Sequence, residues 1–350
     1  MSSYDYKLDN VYLNKPKNRA RSHSLHNELQ NELLRVEANN IYKENCLIGM
    51  KRIPSNSLDM VCTDPPYFLD QMDNMWSKEK LDKRLVVGYV HKLPVGMKFD
   101  KSQSKKFYEF YLEVSLEIFR ILKPGGVFLS FSSPRLYHSM AMAMDDAGFE
   151  IRDMLGWVYL QGQVKACSHN HVIERDSSKT EEEKEELKEL MKDTKTMQLR
   201  PAIEPICMAV KPIEGRLIDN YQKYGTGMMH VNNLTKVGSS KYSPANILTT
   251  PPLELPELEL PEISNLDKVF QVQKPTIKEK GDYNNHISVK PLSLISHLIR
   301  LFTKENAVVL DPFMGSGTTA VACKTTKRQY IGFEINNYYL EICKKRLSDV

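Results

Sequence analysis

The sequence predicts an α/β fold around a mostly parallel sheet, on two observations. Short apolar runs alternate with segments of helical periodicity towards both ends of the chain. Two of those runs also end in chemically distinctive loops, Asp64-Pro65-Pro66-Tyr67 and Gly315-Ser316-Gly317-Thr318-Thr319-Ala320. From the start, residues 11–21 carry Lys15, Lys17, Arg19 and Arg21 around Pro16 without periodicity, and read as a basic arm. Leu25, Leu29 and Leu33, behind Ser22 and Ser24, predict an amphipathic helix ending near Asn39-Asn40. Residues 58–62 (LDMVC) read as a short buried strand, ended by two prolines. Helical spacing over residues 107–123 stops at Pro124-Gly125-Gly126 and leads into an apolar strand, 127–131 (VFLSF). A further helix over 137–146 stops at Gly148.

The middle is less regular. Residues 181–193 form a charged helical run, with like-charged i,i+4 pairs such as Glu181 with Glu185 relieved by Glu-Lys i,i+3 contacts. Residues 253–262 repeat LELPE twice, and Pro251, Pro252, Pro256 and Pro261 make an extended connector the expectation. Regular order then returns: a proline-opened helix 291–302, a buried strand 307–313, a glycine turn feeding a helix, a strand 329–334, and a last helix capped by Asn336.

With 350 residues and 41% apolar composition the chain can hold one large α/β domain with a lobe attached, or two ordinary domains. No run approaches the ~18 apolar residues of a membrane span, and the first twenty or so residues lack the apolar core of a signal peptide, so the expectation is a cytoplasmic protein with no membrane partner. The six cysteines are scattered without a C-x-x-C pair, which argues against a disulfide framework or a zinc ribbon. The net charge of +4 is unevenly spread. Residues 174–196 carry nine acids and six bases, and residues 251–267 five acids and no base. Setting those deficits of three and five aside leaves +12 on the remainder, the local excess that a polyanion requires.

The glycine turn follows a strand and opens a helix, as the G-x-G-x-x-G/A nucleotide-binding pattern requires. Glu334 ends the next strand, where such folds place an acid that accepts hydrogen bonds from both ribose hydroxyls. The combination points to an adenosine-containing cofactor, against the blander reading of a packed turn beside a surface acid. No Gly-Lys-Ser/Thr follows, so a P-loop is disfavoured; the turn alone leaves a NAD-dependent oxidoreductase open.

Asp64-Pro65-Pro66-Tyr67 lies at the carboxyl end of a strand, where open α/β sheets place their sites. An exocyclic amine such as N6 of adenine is a poor nucleophile, because its lone pair is delocalised into the ring. Acceptors on both its hydrogens favour a pyramidal nitrogen and aim the lone pair at a methyl donor. Asp64 offers one acceptor, a backbone carbonyl held by Pro65-Pro66 offers the other, and Tyr67 offers a ring face for an extruded base. A plain Pro-Pro turn capping a strand is the alternative, and it leaves the flanking acid and aromatic unexplained.

DPPY together with VVLDPFMGSGTT resembles the S-adenosylmethionine-dependent DNA amino-methyltransferases of adenine N6 and cytosine N4. With the DPPY loop first and the cofactor turn about 250 residues later, the order is that of the circularly permuted β class. The likeness extends over residues 46–67, the segment LKPGGVFLSF and residues 286–303. Residues 199–215, 223–232 and 243–250 are similar to the phage and prophage adenine-specific branch. The resemblance implies a Rossmann-like class I methyltransferase fold, a mixed, mostly parallel seven-stranded sheet, with an inserted target-recognition region. It implies four parts: a basic arm and helix (1–40), a catalytic half (41–159), a recognition region with insertions (160–285) and a cofactor-binding half (286–350).

The same resemblance makes Asp64, Pro65, Pro66 and Tyr67 the catalytic residues. Asp311, Phe313, Gly315, Gly317, Thr318 and Glu334 would surround the cofactor, with Ser288 and Lys290 near its methionine end. It implies S-adenosylmethionine as cofactor, double-stranded DNA as substrate, and a homodimer and a cognate restriction endonuclease as partners. The implied reaction is base flipping followed by direct in-line methylation of adenine N6. Cytosine N4 methylation and a non-catalytic DNA-binding specificity partner remain alternatives. Asn45 departs from the family, which commonly has Asp there, and Trp76 matches a tryptophan commonly seen after the catalytic loop. No metal is expected: Cys167, His169 and His171 alternate on a loop without a fourth ligand. Met140, Met142 and Met144 read as a core-facing helix. Neither a G-x-S-x-G elbow nor a Pro-Cys pair near the strand ends supports a covalent nucleophile.

Overall fold

A computed structural model describes residues 36–67, 101–159, 166, 168–197, 199–231, 244–249, 270–272, 275–284, 286 and 288–350. The expected basic arm, most of the helix over 25–39, the loop after Tyr67 with Trp76, and the LELPE connector lie outside them. In chain order the elements are β1 (Asn40–Tyr42), α1 (Cys46–Met50), β2 (Leu58–Thr63), α2 (Lys101–Ile121), β3 (Leu122–Phe131), α3 (Tyr137–Asp146), β4 (Glu150–Val158), α4 (Asn170–Glu174), α5 (Glu181–Leu190), β5 (Ile203–Val210), α6 (Leu217–Tyr224), β6 (Ile247–Thr249), β7 (Phe270–Gln271), α7 (Ile277–Lys280), α8 (Leu292–Phe302), β8 (Val308–Asp311), α9 (Thr318–Thr325), β9 (Gln329–Phe333) and α10 (Asn337–Ser348). The architecture below is that of the compact unit Glu37–Val350.

One sheet runs in the order β1-β9-β8-β2-β3-β5-β4-β6-β7. All pairings are parallel except those of β5, which is antiparallel to β3 and β4. The first seven strands of that order form the expected mixed sheet. The count differs from seven because β6 and β7 add two short strands beyond β4, where an open edge exposes unpaired backbone groups. Residues 203–210, within the segment 160–285, form β5 of the sheet.

Central β2 is buried throughout, as a parallel strand covered on both faces must be. Alternation along β3 sorts its side chains onto two faces. Leu129 and Phe131 join the cluster of Leu294, Ile295, Leu298 and Phe302 from α8. Phe128 faces the other way, with its ring centroid 6.2 Å from that of Tyr111 on α2. Phe107, Tyr111, Val114, Ile118 and Ile121 give α2 its buried stripe at helical spacing. The helix passes straight into β3 at Leu122, so Pro124-Gly125-Gly126 lies inside a strand rather than between elements. Gly125 permits this at φ 78°, donating its N–H to Lys211 O at 2.9 Å. On α3, Met140 and Met144 are buried but Met142 is exposed, because only i and i+4 share a helical face.

Candidate active site

β8 and β2 are neighbours whose chains leave in opposite directions, β8 towards β9 and β2 towards β3. Such a switch point opens a crevice at the carboxyl ends of the strands. The two expected site loops both begin there. Asp311, the last residue of β8, ties them together: its Oδ1 accepts from Thr63 Oγ1 at 2.6 Å and from Phe313 N at 3.0 Å, and its Oδ2 from Thr319 Oγ1 at 2.7 Å. Burial raises its carboxyl to about 6, against those hydrogen bonds. Asp311 thus braces the loops from within. Thr63, just before the DPPY loop, and Thr319, inside the glycine turn, are site residues that sequence reasoning missed.

Gly315 and Gly317 both have positive φ, 53° and 84°. A Cβ on Gly317 would overlap the Cys343 sulfur, and one on Gly315 would come to 2.9 Å of His286 Nε2. Glycine is therefore required at both positions by conformation and by close packing. Glu334 closes the turn, accepting Gly315 N at 2.8 Å on one oxygen and Asn336 N at 2.7 Å on the other. The same carboxylate also accepts from the Ile335 backbone, and burial pushes it up. Thr318, expected at the cofactor, accepts from Arg346 Nη1 at 3.0 Å, and the same nitrogen reaches Ser316 O at 2.9 Å. Arg346 and His286 are further supports that no local spacing announced. Phe313 packs against Phe110 with ring centroids 5.9 Å apart.

Beyond β2, Asp64 accepts from Tyr67 Oη at 2.6 Å on Oδ1. Its Oδ2 accepts from Ser288 Oγ at 2.8 Å and Lys290 Nζ at 2.6 Å. Ser288 and Lys290, expected near the methionine end of a cofactor, thus lie on the Asp64 carboxylate. Lys290 also pairs with Glu204 of β5 at 2.6 Å. Burial disfavours its charge, but Asp64 and Glu204 outweigh that and hold the ammonium well above its ordinary range. Burial, then the Asp64 carboxylate, likewise keep the Tyr67 phenol protonated. Pro65 is buried and Pro66 half-buried, which fixes the loop. Asn45 accepts Leu47 N at 2.9 Å and caps α1, a role its side chain fills as well as Asp. Cys167 and the side chain of His171 lie outside the described residues, among which no cluster of His, Cys, Asp or Glu is placed to hold a metal.

A switch-point crevice that brings together a glycine turn closed by an acid and a hydrogen-bonded carboxylate beside an aromatic is the arrangement expected of the methylases of exocyclic amines. Residues 58–345 match the DNA methylase family (N6_N4_Mtase), and the chain belongs to it. The protein is a DNA methyltransferase whose cofactor is S-adenosylmethionine. It is 29% identical over 326 residues to Type II methyltransferase M.HindIII of Haemophilus influenzae, covering 88% of this chain and 94% of that protein. It is 23% identical over 316 residues to DNA adenine methyltransferase YhdJ of Escherichia coli, covering 89% and 83%. The solved PvuII DNA methyltransferase (cytosine-N4-specific) shares the fold, with a TM-score of 0.51, 16% identity, and coverage of 89% of this chain and 87% of that one. Among the described residues no helix is long and apolar enough to cross a membrane.

Proposed function

We propose that this enzyme methylates N6 of adenine at a specific sequence in double-stranded DNA, acting on a base flipped out of the duplex. The observation that carries the reading is the Asp64 carboxylate, with Oδ1 bonded to Tyr67 and Oδ2 to Ser288 and Lys290. Oδ2 has both lone pairs engaged, so the target amine bonds Oδ1, which keeps one. The carbonyl held by Pro65-Pro66 takes the second amine hydrogen, and the Tyr67 ring stacks on the base. Glu334 accepts the ribose hydroxyls of the cofactor; Gly315 and Gly317 let the backbone close on it, with Phe313 and Thr318 around it and Asp311 holding the loop from below.

S-adenosylmethionine supplies an electrophilic methyl group. Asp64 aims the amine lone pair at that carbon; the nitrogen–carbon bond forms as the carbon–sulfur bond breaks, with its electron pair left on sulfur. The aminium proton leaves after transfer, so Asp64 acts by orientation and charge and need not be a strong base. Adenine is favoured by the adenine-branch similarity of residues 199–215, 223–232 and 243–250, and by the name of the E. coli relative. Since M.HindIII is named a Type II methyltransferase, a cognate restriction endonuclease belongs to the same reading; self-association into a homodimer rests on the resemblance to the β class alone. Tritiated methyl transfer to DNA, followed by identification of the base, tests the proposal. N6-methyladenine is expected, and recovery of N4-methylcytosine alone overturns it. Asp64→Ala should abolish transfer while leaving cofactor binding nearly intact.

A further inference from the structure

Around Asp64 lies one carboxylate that the chemistry above does not use. Glu204 is on β5, paired in register with Trp157 of β4. Lys290 Nζ reaches Glu204 Oε1 and Asp64 Oδ2 at the same distance, 2.6 Å. It also reaches Ser288 Oγ at 3.0 Å, so its three protons have three acceptors. The Lys290 side chain is only 8% exposed, and its ammonium lies 5.0 Å from the centre of the Phe131 ring. Charges so placed act on one another with little screening by water.

We propose that Glu204 is a positioning residue for methyl transfer, sharing the Lys290 ammonium so that it stays on Asp64 Oδ2 without neutralising the site. The proposal rests on Asp64 being the amine acceptor. Two carboxylates and one ammonium leave a net charge of −1 beside a nitrogen that becomes positive as the methyl group arrives. With Lys290 and Asp64 alone the pair would be neutral, and the carboxylate a weaker acceptor for that nitrogen. Without Lys290, two carboxylates would crowd one site and one would take up a proton. The groups facing Lys290 are Asp64 and, behind it, Tyr67 after β2, Glu204 on β5, Tyr159 after β4, and His286 and Ser288 before α8. His286 is kept neutral by burial, at about 4, so Glu204 is the charge that can be varied while Asp64 is left alone.

Glu204→Gln keeps the shape and an accepting oxygen but removes the charge. We expect kcat to fall about tenfold, the difference between a charged and a neutral partner for one buried hydrogen bond. KM for DNA and the calorimetric affinity for S-adenosylmethionine should stay within about twofold of the parent. The alkaline limb of the kcat profile should move to lower pH, because Lys290 loses one of the two carboxylates that hold its proton. Glu204→Asp, which restores the charge, should recover most of kcat and the parental limb. A merely structural role would lower the melting temperature and leave the profile where it was. Parental kcat and profile in Glu204→Gln overturn the proposal, and so does a Glu204→Asp enzyme no better than Glu204→Gln. Failure of Glu204→Gln to fold assigns Glu204 to stability and overturns it equally. Activity surviving in Asp64→Ala would instead remove the acceptor assignment, whatever Glu204 does.

Discussion

At Gly317 a single added methyl group meets two obstacles at once. The residue is left-handed, at φ 84°, and a Cβ there would overlap the Cys343 sulfur on α10. Holding a non-glycine residue in that region costs about 1–3 kcal/mol, and overpacking a filled site about 1–3 kcal/mol more. Gly317→Ala should therefore lose about 2–6 kcal/mol of stability in denaturant melts, with a weaker calorimetric affinity for S-adenosylmethionine. An unchanged midpoint would mean that α10 yields without cost. Gly315→Ala should be milder, because the obstacle there is the edge of the His286 ring. These glycines and Glu334 were legible in the sequence because a strand, a turn and a helix impose their constraint over a few neighbouring residues. The distant partners of Asp64 were not legible from spacing. Ser288 and Lys290 lie 224 and 226 residues away along the chain, and a contact made only by folding leaves no local period. Family resemblance found those two residues; nothing pointed to Glu204.

Among the elements, α8 was the easiest to foresee: PLSLISHLIRLF has a proline start and an apolar face, and Leu294, Ile295, Leu298 and Ile299 are buried as that face requires. β5 was hidden by Pro205, since proline argues against a central strand. A strand residue points its N–H and C=O to the same side, and the Pro205 carbonyl accepts from Ser132 N, just past the end of β3. The missing donor therefore falls where the ladder has already stopped. β4 was hidden because its first five residues are exposed and show no alternation. Burial of α8 and the segment before it has a consequence in acid. His297 on α8 and His286 ahead of it are both held neutral by burial, each at about 4. Between about pH 6.5 and about pH 4 the unfolded chain binds protons at these sites and the folded one does not, so stability falls as pH falls through that window. Each contributes on the order of 3 kcal/mol to the loss. Asp311, raised to about 6, opposes it, since its folded form takes up a proton first. His297→Gln should then roughly halve the drop in melting temperature between about pH 7 and about pH 5. An undiminished drop would locate the acid sensitivity elsewhere.

Over the whole molecule, the near-neutral total of +4 conceals a division that bears on how DNA is held. The acidic stretch 174–196 pairs three of its lysines with its own acids. On α5, Lys184 pairs with Glu181 at 2.7 Å and Lys188 with Glu185 at 2.6 Å; beyond its end Lys192 pairs with Glu189 at 3.2 Å, while Thr180 and Glu183 form a capping box. The i,i+3 contacts expected from the sequence are therefore made, and they leave this stretch net negative with Lys184, Lys188 and Lys192 engaged. Phosphates should be met by the basic remainder instead, with α5 turned away from the duplex. If so, removing acids from α5 changes little, because charges beyond the Debye length of ~8 Å at physiological ionic strength are screened. Glu182→Gln with Glu186→Gln should leave the DNA dissociation constant, measured by fluorescence anisotropy, within about twofold of the parent at ~0.15 M salt. The affinity of both proteins should fall steeply and in parallel as salt is raised, because that slope counts the phosphates neutralised. Were α5 to lie along the backbone, loss of two like charges would instead tighten binding severalfold at low salt, and the two salt curves would converge as screening increased.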